Sequence, residues 1–188
     1  MAYTTINKST DHFNTVTYAG NGASPRSITG VGFQPDLLWL KNYSGGTNYE
    51  WRQMDIVRGS NKVMHTSGSG NENTEEYYTV SSFDSDGWTG RNGTGSNQVI
   101  TGGNDNGYNF LAWNWKANGA GSSNSDGSIT STVSANTTSG FSIVKYTGNG
   151  SASNIGHGLG SAPAMTILKG RHESNNWMVY HHKNTSSP

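Results

Sequence analysis

Hydrophobic positions in this chain fall in short runs that alternate with polar residues and are separated by glycine-rich stretches. The runs recur at intervals of about 8–15 residues, and no helical spacing of apolar residues is sustained. This pattern is typical of an all-β protein, an antiparallel β-sandwich or barrel. Seven runs predict strands, at residues 13–19, 36–42, 48–57, 62–66, 76–83, 97–101 and 108–116.

The last of these runs, YNFLAWNWK, is apolar on both faces. Because side chains alternate along a strand, Leu111, Trp113 and Trp115 fall on one face, whereas Phe110 and Ala112 fall on the other. A strand of this kind belongs in the middle of a sheet, where a second layer, a loop or a partner covers its other side. We therefore expect this strand to be central.

The chain repeats itself at a fixed distance. Residues 16–35 read VTYAGNGASPRSITGVGFQP, and residues 144–163 read VKYTGNGSASNIGHGLGSAP. A displacement of 128 residues aligns the two stretches without a gap and gives fourteen identities over residues 1–49. Half of the identities are at glycines, a proline and aromatic residues, which are positions with backbone or packing demands. The repetition predicts two copies of one domain.

The repeat length sets the predicted domain boundaries. We expect a first β-sandwich unit at residues 1–117, a Gly/Ser/Asn linker at 118–128, and the N-terminal part of a second unit at 129–188. Half a sandwich has open edges and an uncovered apolar face, so we expect a longer protein or strands from a neighbouring subunit. We interpret the Asn-Gly turns of YAGNG and YTGNG as the same hairpin turn in both copies.

Composition excludes several classes of function. Six Trp, nine Tyr and five Phe supply apolar surface to a chain that is only 31% hydrophobic, which argues against disorder. The formal net charge is zero and no basic stripe is present, so nucleic acid is not an expected partner. No long apolar run predicts membrane insertion, and the absence of cysteine excludes disulfides and thiolate chemistry.

Several segments in order carry a resemblance. YAGNG, SITGVGFQPDLLWLKN, DIVRG, SSFDSDGW and LAWNWKANG are followed by DGSITSTVSANTTSGFSIVKYTGNG and GHGLGSAP. In this order they resemble a family of virion proteins of tailed bacteriophages, common among marine phages, which are described as tail-fibre-like, head-fibre-like or structural. The chain departs from the family at Trp113–Asn114–Trp115, where relatives often carry a cysteine.

The resemblance implies both a fold and a location. It implies a concanavalin-A-like jelly roll of the lectin and glucanase type, often in tandem. It places the protein on the virion surface, at the tail or the capsid, after synthesis in the bacterial cytoplasm. The implied partners are other virion proteins and copies of itself, in a homo-oligomer such as a trimer.

Jelly-roll glucanases resemble one another in a strand with the pattern Glu-x-Asp-x-x-Glu, so paired carboxylates on a strand are the candidate catalytic residues. A retaining glycosidase needs its catalytic pair about 5–5.5 Å apart on one face. Here Glu50 and Asp55 are five positions apart and point to opposite faces, while Glu72, Glu75 and Glu76 fall in a polar turn. We therefore expect no enzymatic activity.

Carbohydrate binding is the remaining candidate chemistry. A sugar stacks its C–H face on an aromatic ring and needs polar groups for its hydroxyls. The alternative to a binding role is that Trp88 belongs to the core, because tryptophan is highly buried on average. We also assign Trp39, Trp113 and Trp115 to the core. The candidate residues beside polar turns are Trp88, Tyr108, Tyr43 and Tyr49 as platforms, with Asp86 and Asn92 as hydrogen-bonding partners.

Calcium is a further candidate ligand. The turns FDSDG, GGNDNG and SNSDG offer oxygen ligands, with Asp84, Asp86 and Asp105 as the candidate carboxylates. None has the twelve-residue loop with a terminal glutamate, and ordinary Asx turns explain the same residues. Both interpretations stay open.

The sequence thus predicts a non-enzymatic virion protein, a tail fibre, spike or head fibre, that displays lectin-like domains to host-surface glycans. The first alternative is a capsid decoration or tail connector protein without a ligand. A polysaccharide depolymerase is the third.

Overall fold

Short antiparallel strands make up nearly all of the regular structure in the computed structural model, which describes residues 6–44, 50–75, 80–91 and 103–184. The predicted all-β class is confirmed, and a 3-10 turn at Ser9–Asp11 is the one helical element among the described residues. The strands are β1 (Phe13–Ala19), β2 (Arg26–Ile28), β3 (Leu37–Asn42), β4 (Arg52–Asp55), β5 (Gly59–His65), β6 (Asn73–Thr74), β7 (Val80–Asp84), β8 (Gly87–Gly90), β9 (Asn109–Trp115), β10 (Ser122–Asn124), β11 (Ser131–Asn136), β12 (Phe141–Lys145), β13 (Met165–Leu168) and β14 (Met178–His181).

Strands β1 to β9 form a β-sandwich, here called the N-terminal sandwich. Its larger sheet has the order β1-β9-β3-β4-β5-β6, and its smaller sheet has the order β2-β8-β7. Apolar side chains from both sheets meet between them, because that is where they escape water. The buried cluster contains Ile28, Val31, Phe33, Leu38, Leu40, Met54, Val63, Val80, Trp88, Phe110 and Ala112.

Strand β9 lies between β1 and β3, as its apolar pattern predicts. Phe110 and Ala112 are buried in the core, whereas Trp113 and Trp115 lie half-buried on the opposite face. The same holds for Trp39 on β3. The assignment of these three tryptophans to the core was therefore wrong, because the core lies on the other side of the sheet.

The YAGNG turn is not a hairpin. Strand β1 pairs with β9, and β2 pairs with β8 in the other sheet, so the turn carries the chain between the two layers. Strands β2 and β8 are absent from the predicted strands, because three and four residues are too few to show an alternation of apolar and polar positions. The predicted strand at residues 97–101 lies outside the described residues.

The segment predicted as a linker, 118–128, is docked rather than loose. It contains β10, which pairs with β11, and the Asn118 amide donates a hydrogen bond to Ser134 Oγ at 2.8 Å. Gly121 approaches β11 so closely that a Cβ there would lie 2.8 Å from the Val133 carbonyl oxygen. Glycine is needed here for close backbone contact as well as for the turn.

The rest of the chain, here called the C-terminal segment (residues 118–184), forms the sheets β10-β11-β12 and β13-β14. It packs on the N-terminal sandwich through several polar contacts. Lys145 Nζ donates to the Val57 carbonyl at 2.8 Å, and Trp177 Nε1 donates to the Gly68 carbonyl at 3.1 Å. Within the part of the chain that the structure describes, no helix has the length and hydropathy needed to cross a bilayer.

Candidate functional site

The glycine-rich YAGNG turn is organised by the buried side chain of Asn104. Asn104 Nδ2 donates to Asn21 Oδ1 at 2.9 Å and to the Ala23 carbonyl at 2.6 Å. Asn104 Oδ1 accepts from Arg26 Nη1 at 2.7 Å and from the Asn21 amide at 3.2 Å. Both donors and both lone pairs of the amide are used. The turn is thus a structural element, with nothing left on Asn104 to offer a ligand.

Trp88 is not available as a sugar platform. It is 1% exposed and lies within the core of the N-terminal sandwich, where its ring meets Tyr18 edge-on at 6.1 Å. Strand β8 lies between β2 and β7, so its inward side chain is covered by the larger sheet. The prediction of Trp88 as a binding residue was wrong, and the alternative of a core tryptophan is correct.

The Asp86 side chain links the turn before β8 to the loop at residues 30–32. Its carboxylate accepts the Gly32 amide at 2.6 Å and the Gly30 amide at 3.0 Å. These backbone hydrogen bonds, first from Gly32 and then from Gly30, hold the pKa of Asp86 below its usual range. The side chain is exposed, and each of its two carboxylate oxygens accepts one hydrogen bond from the loop.

Two of the remaining predicted sugar residues are described, and the Tyr43 amide donates to the carbonyl of Asn109, the residue after Tyr108, at 3.0 Å. Tyr43 is 57% exposed directly after β3, and Tyr108 is half-buried against the core. Tyr49 and Asn92 lie outside the described residues. Because Trp88 is buried in the core, the described members of the predicted set do not surround it as a platform.

The three predicted calcium ligands have separate structural tasks. Asp84 accepts hydrogen bonds from Ser82 Oγ at 2.8 Å and from Thr89 Oγ1 at 2.7 Å. Asp105 lies in another loop, beside Gly20. Across the described ranges, no three His, Asp or Glu side chains come together in an arrangement that could hold a metal ion. The candidate ligands Asp84, Asp86 and Asp105 are thus not brought to one centre.

The carboxylates considered for catalysis are engaged in ion pairs. Asp55 contacts Arg58, and Glu72 Oε2 lies 3.2 Å from Arg58 Nη1. All three side chains are at most 7% exposed. Their separation from solvent makes them a buried polar cluster that holds the β4–β5 turn.

A second polar group surrounds His65. Its Nδ1 lies 2.8 Å from Glu50 Oε2, and its Nε2 lies 3.7 Å from Glu75 Oε1. The imidazole therefore lies between the carboxylates of Glu50 and Glu75 and contacts one with each ring nitrogen. Glu76 lies outside the described residues.

Four tryptophans line the outer face of the larger sheet and are here called the indole row: Trp39, Trp51, Trp113 and Trp115. Ring centroids are 4.7 Å apart for Trp51 and Trp113, 6.1 Å for Trp39 and Trp113, and 5.4 Å for Trp39 and Trp115. All four side chains are half-buried. The row is a continuous aromatic surface that crosses three neighbouring strands or their ends.

Polar groups accompany the indole row. Thr15 and Gln53 stand in the same cross-strand row as Trp113 and Trp39, so their side chains share its face. The Trp39 Nε1 donor is buried and meets no acceptor among the described residues. An indole surface flanked by hydroxyl and amide groups has the chemistry that stacks and orients a sugar ring.

A hollow of about 350 Å³ adjoins the row where Trp115 meets the C-terminal segment. Phe13 lies 4.9 Å and Phe141 6.4 Å from Trp115, measured between ring centroids. The volume is at the lower end of the range of ligand sites, about 300–1,000 Å³. The rest of its lining is Ile6, Ser9, His12, Ser139 and Gly140.

Sequence reasoning missed the indole row although part of the signal was present. Alternation along YNFLAWNWK already separates Trp113 and Trp115 from Phe110. Alternation does not show which layer each face of β9 packs against. Trp51 lies just before β4, so the alternation of that strand does not place it either. Only the folded sheet brings these rings together.

Comparison with known proteins gives one family. No curated protein and no solved structure matches the chain. The family model of a domain of unknown function, DUF7483, matches residues 8–187. The match spans both the N-terminal sandwich and the C-terminal segment, and the chain therefore belongs to the DUF7483 family.

Proposed function

We propose that this chain is a non-enzymatic structural protein of a phage virion that contacts host-surface glycans through the indole row. The virion assignment is supported by the sequence resemblance. The observation that carries the glycan assignment is the continuous, half-buried aromatic surface of Trp39, Trp51, Trp113 and Trp115.

The chemistry of such a surface suits weak, repeated contact. Each indole offers a flat apolar face to sugar C–H groups, and Thr15 and Gln53 offer hydrogen bonds on the same face. One such site binds weakly, but many copies on one particle gain about 10²–10⁴ in avidity when the geometry permits simultaneous contact. Virion display supplies that multiplicity, in a homo-oligomer and on the particle as a whole.

The carboxylates favour a binding role over a depolymerase. Asp55 and Glu72 are paired with Arg58, and Glu50 is paired with His65. A retaining glycosidase needs two carboxyl groups about 5–5.5 Å apart with room for the substrate between them. An incubation with host polysaccharide should therefore release no reducing ends.

A glycan array of host-surface polysaccharides tests the proposal. The wild-type protein should bind a subset of the glycans, and Trp113→Ala should abolish most of that binding. Met178→Ala is the matched control, because it removes an exposed apolar side chain outside the indole row. Binding that survives Trp113→Ala would move the site elsewhere.

A second candidate is a capsid decoration or tail connector protein without a ligand. It is favoured by Phe141, which reaches from the C-terminal segment to Trp115 and covers one end of the row. If no host-derived glycan on the array binds the wild-type protein, the row is a packing surface and this second function replaces the first.

A further inference from the structure

We propose that the hollow beside Trp115 holds the terminal residue of a bound glycan, and that this residue carries an acetamido group, as an N-acetylhexosamine does. The inference rests on the proposed function, since it names the sugar at the end of the glycan that the indole row binds. Three features of the hollow carry it: its aromatic walls, its uncharged lining among the described residues, and one hydrogen-bond donor close to one acceptor.

The hollow lies where three parts of the chain meet: the 3-10 turn with the start of β1, the end of β9, and the β11–β12 turn. The His12 amide donates to the Ser9 carbonyl at 2.9 Å, and the His12 carbonyl accepts from the Lys116 amide at 2.8 Å. In the β11–β12 turn, the Gly140 amide donates to the Asn136 carbonyl at 2.9 Å. Backbone hydrogen bonds therefore hold the lining in place on both sides of the hollow.

Trp115 belongs both to the indole row and to the hollow. Its ring centroid lies 5.4 Å from that of Trp39 and 6.4 Å from that of Trp113, which are in the row. It lies 4.9 Å from that of Phe13 and 6.4 Å from that of Phe141, which line the hollow. All four distances are within the range of aromatic contacts. A glycan stacked on the row therefore reaches the hollow without leaving the aromatic surface.

The β11–β12 turn closes the row at this end. Phe141 extends from the turn to Trp115, and Asn136 Nδ2, at the base of the turn, donates to the Lys116 carbonyl at 3.4 Å. A polymer that continued past Trp115 in the direction of the row would meet this turn, whereas a chain end fits against it. The hollow therefore suits a terminal sugar better than an internal one.

The charge of the lining favours an uncharged sugar. Among the described residues, no Asp, Glu, Lys or Arg lines the hollow. Lys8 and Asp11, which flank Ser9 in the sequence, form an ion pair with each other at 2.9 Å. An anionic sugar such as a uronic acid would lose water here without gaining a fixed cation in exchange.

His12 presents its N–H group on Nε2. Asn136 Oδ1 accepts from the Ser139 amide at 3.1 Å, so the other polar atom of this side chain, Nδ2, is a donor. Asn136 Nδ2 lies 3.3 Å from His12 Nδ1, which therefore accepts and does not carry the ring proton. The proton is then on Nε2, which makes no hydrogen bond to another residue in the described ranges.

Ser139 supplies an acceptor beside this donor. Its hydroxyl donates to the Asn136 carbonyl at 3.4 Å, which leaves the lone pairs of Oγ for an incoming N–H group. Asn136 contacts both His12 and Ser139, so the donor and the acceptor lie close together.

An acetamido group matches this arrangement in each of its three parts. Its N–H donates to Ser139 Oγ, and its carbonyl accepts from His12 Nε2. The rings of Phe13 and Phe141 remove its methyl group from water. A hydroxyl group at the same position of the sugar has no methyl group for the aromatic walls and only one polar atom for the two partners.

NMR titration of the 188-residue chain with two glycosides tests the inference. Methyl N-acetyl-β-glucosaminide and methyl β-glucoside are matched, since they differ only in the acetamido or hydroxyl group at C2. We expect the first to bind about tenfold more tightly, which is what one hydrogen bond and one buried methyl group are together worth. Saturation transfer from the protein should be strongest at the methyl protons of the acetamido group.

Two substitutions in the hollow should remove this preference. His12→Phe keeps a ring but removes the Nε2 donor, and Ser139→Ala removes the acceptor. Each should reduce the affinity ratio of the two glycosides from about tenfold to about threefold or less. His172→Phe is the matched control, because His172 is exposed and does not line the hollow, and it should leave the ratio unchanged. Thermal unfolding checks that each variant is folded.

Two results would overturn the inference and leave the proposed function standing. The first is equal affinity of the wild-type protein for the two glycosides, together with glycan-array binding that Trp113→Ala abolishes. The second is a preference for the acetamido glycoside that survives both His12→Phe and Ser139→Ala, which would place the acetamido group elsewhere.

Failure of the proposed function gives a different result. If no array glycan and neither glycoside binds, the proposed function and this inference fail together. If the acetamido glycoside binds in the predicted way but no array glycan does, the hollow is confirmed as a sugar site and the indole row is not.

Discussion

Arg171 and Glu72, which lie 99 positions apart, form a two-pronged ion pair that joins the C-terminal segment to the N-terminal sandwich. Arg171 Nη2 lies 2.7 Å from Glu72 Oε1, and Arg171 Nε lies 2.9 Å from Glu72 Oε2. The Glu72 amide also donates to the Arg171 carbonyl at 2.8 Å. Parallel hydrogen bonds between guanidinium and carboxylate are directional, so this contact fixes orientation as well as distance.

Replacing this arginine should loosen the contact between the two regions. Arg171→Met removes two charge-assisted hydrogen bonds from a carboxylate that is 7% exposed, and should cost about 1–3 kcal/mol of unfolding free energy in urea. Lys8→Met is the matched control, because the Lys8–Asp11 pair is solvent-exposed and should contribute well under about 1 kcal/mol. Equal effects of the two substitutions would contradict this prediction.

The same contact should depend on pH. Burial alone would raise the pKa of Glu72, but the hydrogen bonds and charges of Arg171 and Arg58 outweigh it and hold the pKa below its usual range. A folded-state pKa below the ordinary value of about 4.3 contributes stability that is complete above that value. The contribution is lost as the pH falls through the folded-state pKa.

Urea unfolding of wild type and Glu72→Gln between pH 3 and 7 measures this effect. The difference in unfolding free energy should be constant from about pH 5 upward and should shrink below about pH 4.3. Glu173→Gln, at an exposed carboxylate, is the control and should show no comparable change. A Glu72→Gln difference that does not vary with pH would refute the ion-pair account.

The two GNG turns should respond differently to the same substitution. A Cβ at Gly20 would lie 2.0 Å from the Asp105 carbonyl oxygen, whereas a Cβ at the equivalent Gly148 meets nothing within 4 Å. Gly20→Ala should therefore destabilise the protein by about 1–3 kcal/mol or more. Gly148→Ala should be within about 0.5 kcal/mol of wild type.

Thermal unfolding distinguishes the two variants, since about 1 kcal/mol corresponds to roughly 2–4 °C in a chain of this size. The result expected is a clear fall in Tm for Gly20→Ala alone. A similar fall for both would mean that the turn conformation, rather than the close approach to Asp105, sets the requirement for glycine.

Replacing two tryptophans should distinguish the core from the outer face of the larger sheet by the loss of unfolding free energy. Trp88→Ala empties a site in the core and should cost about 3–5 kcal/mol. Trp113→Ala removes a half-buried ring from the outer face, so it should cost less, about 1–2 kcal/mol. Denaturant midpoints check the order, and an inverted order would contradict the assignment of core and outer face.

Strand β9 illustrates how far pattern alone reached. Alternation placed Phe110 and Ala112 on one face and Trp113 and Trp115 on the other, and both the central position and the two faces are confirmed. The pattern did not say which face meets the second sheet. That depends on contacts with residues far away in the chain, which local alternation does not reveal. The tryptophans were therefore assigned to the core.

The candidate site was less accessible to prediction than the fold. Trp88 and Asp86 lie two positions apart beside one turn, which suggested a shared site. In the structure, Trp88 enters the core and Asp86 turns outward to cap the Gly30–Gly32 loop. Asp86 lies in the turn before β8, where strand alternation does not apply, so its side chain does not share the inward direction of Trp88.

The sequence by itself determined the all-β class, the bounds of β1 and the two-faced character of β9, since these follow from local alternation and glycine spacing. Only the tertiary structure decided that Asn104 holds the YAGNG turn, that the 118–128 segment docks, and that four indoles share one face. Those features join residues tens of positions apart, and the energy that selects them comes from burial and hydrogen bonding between layers.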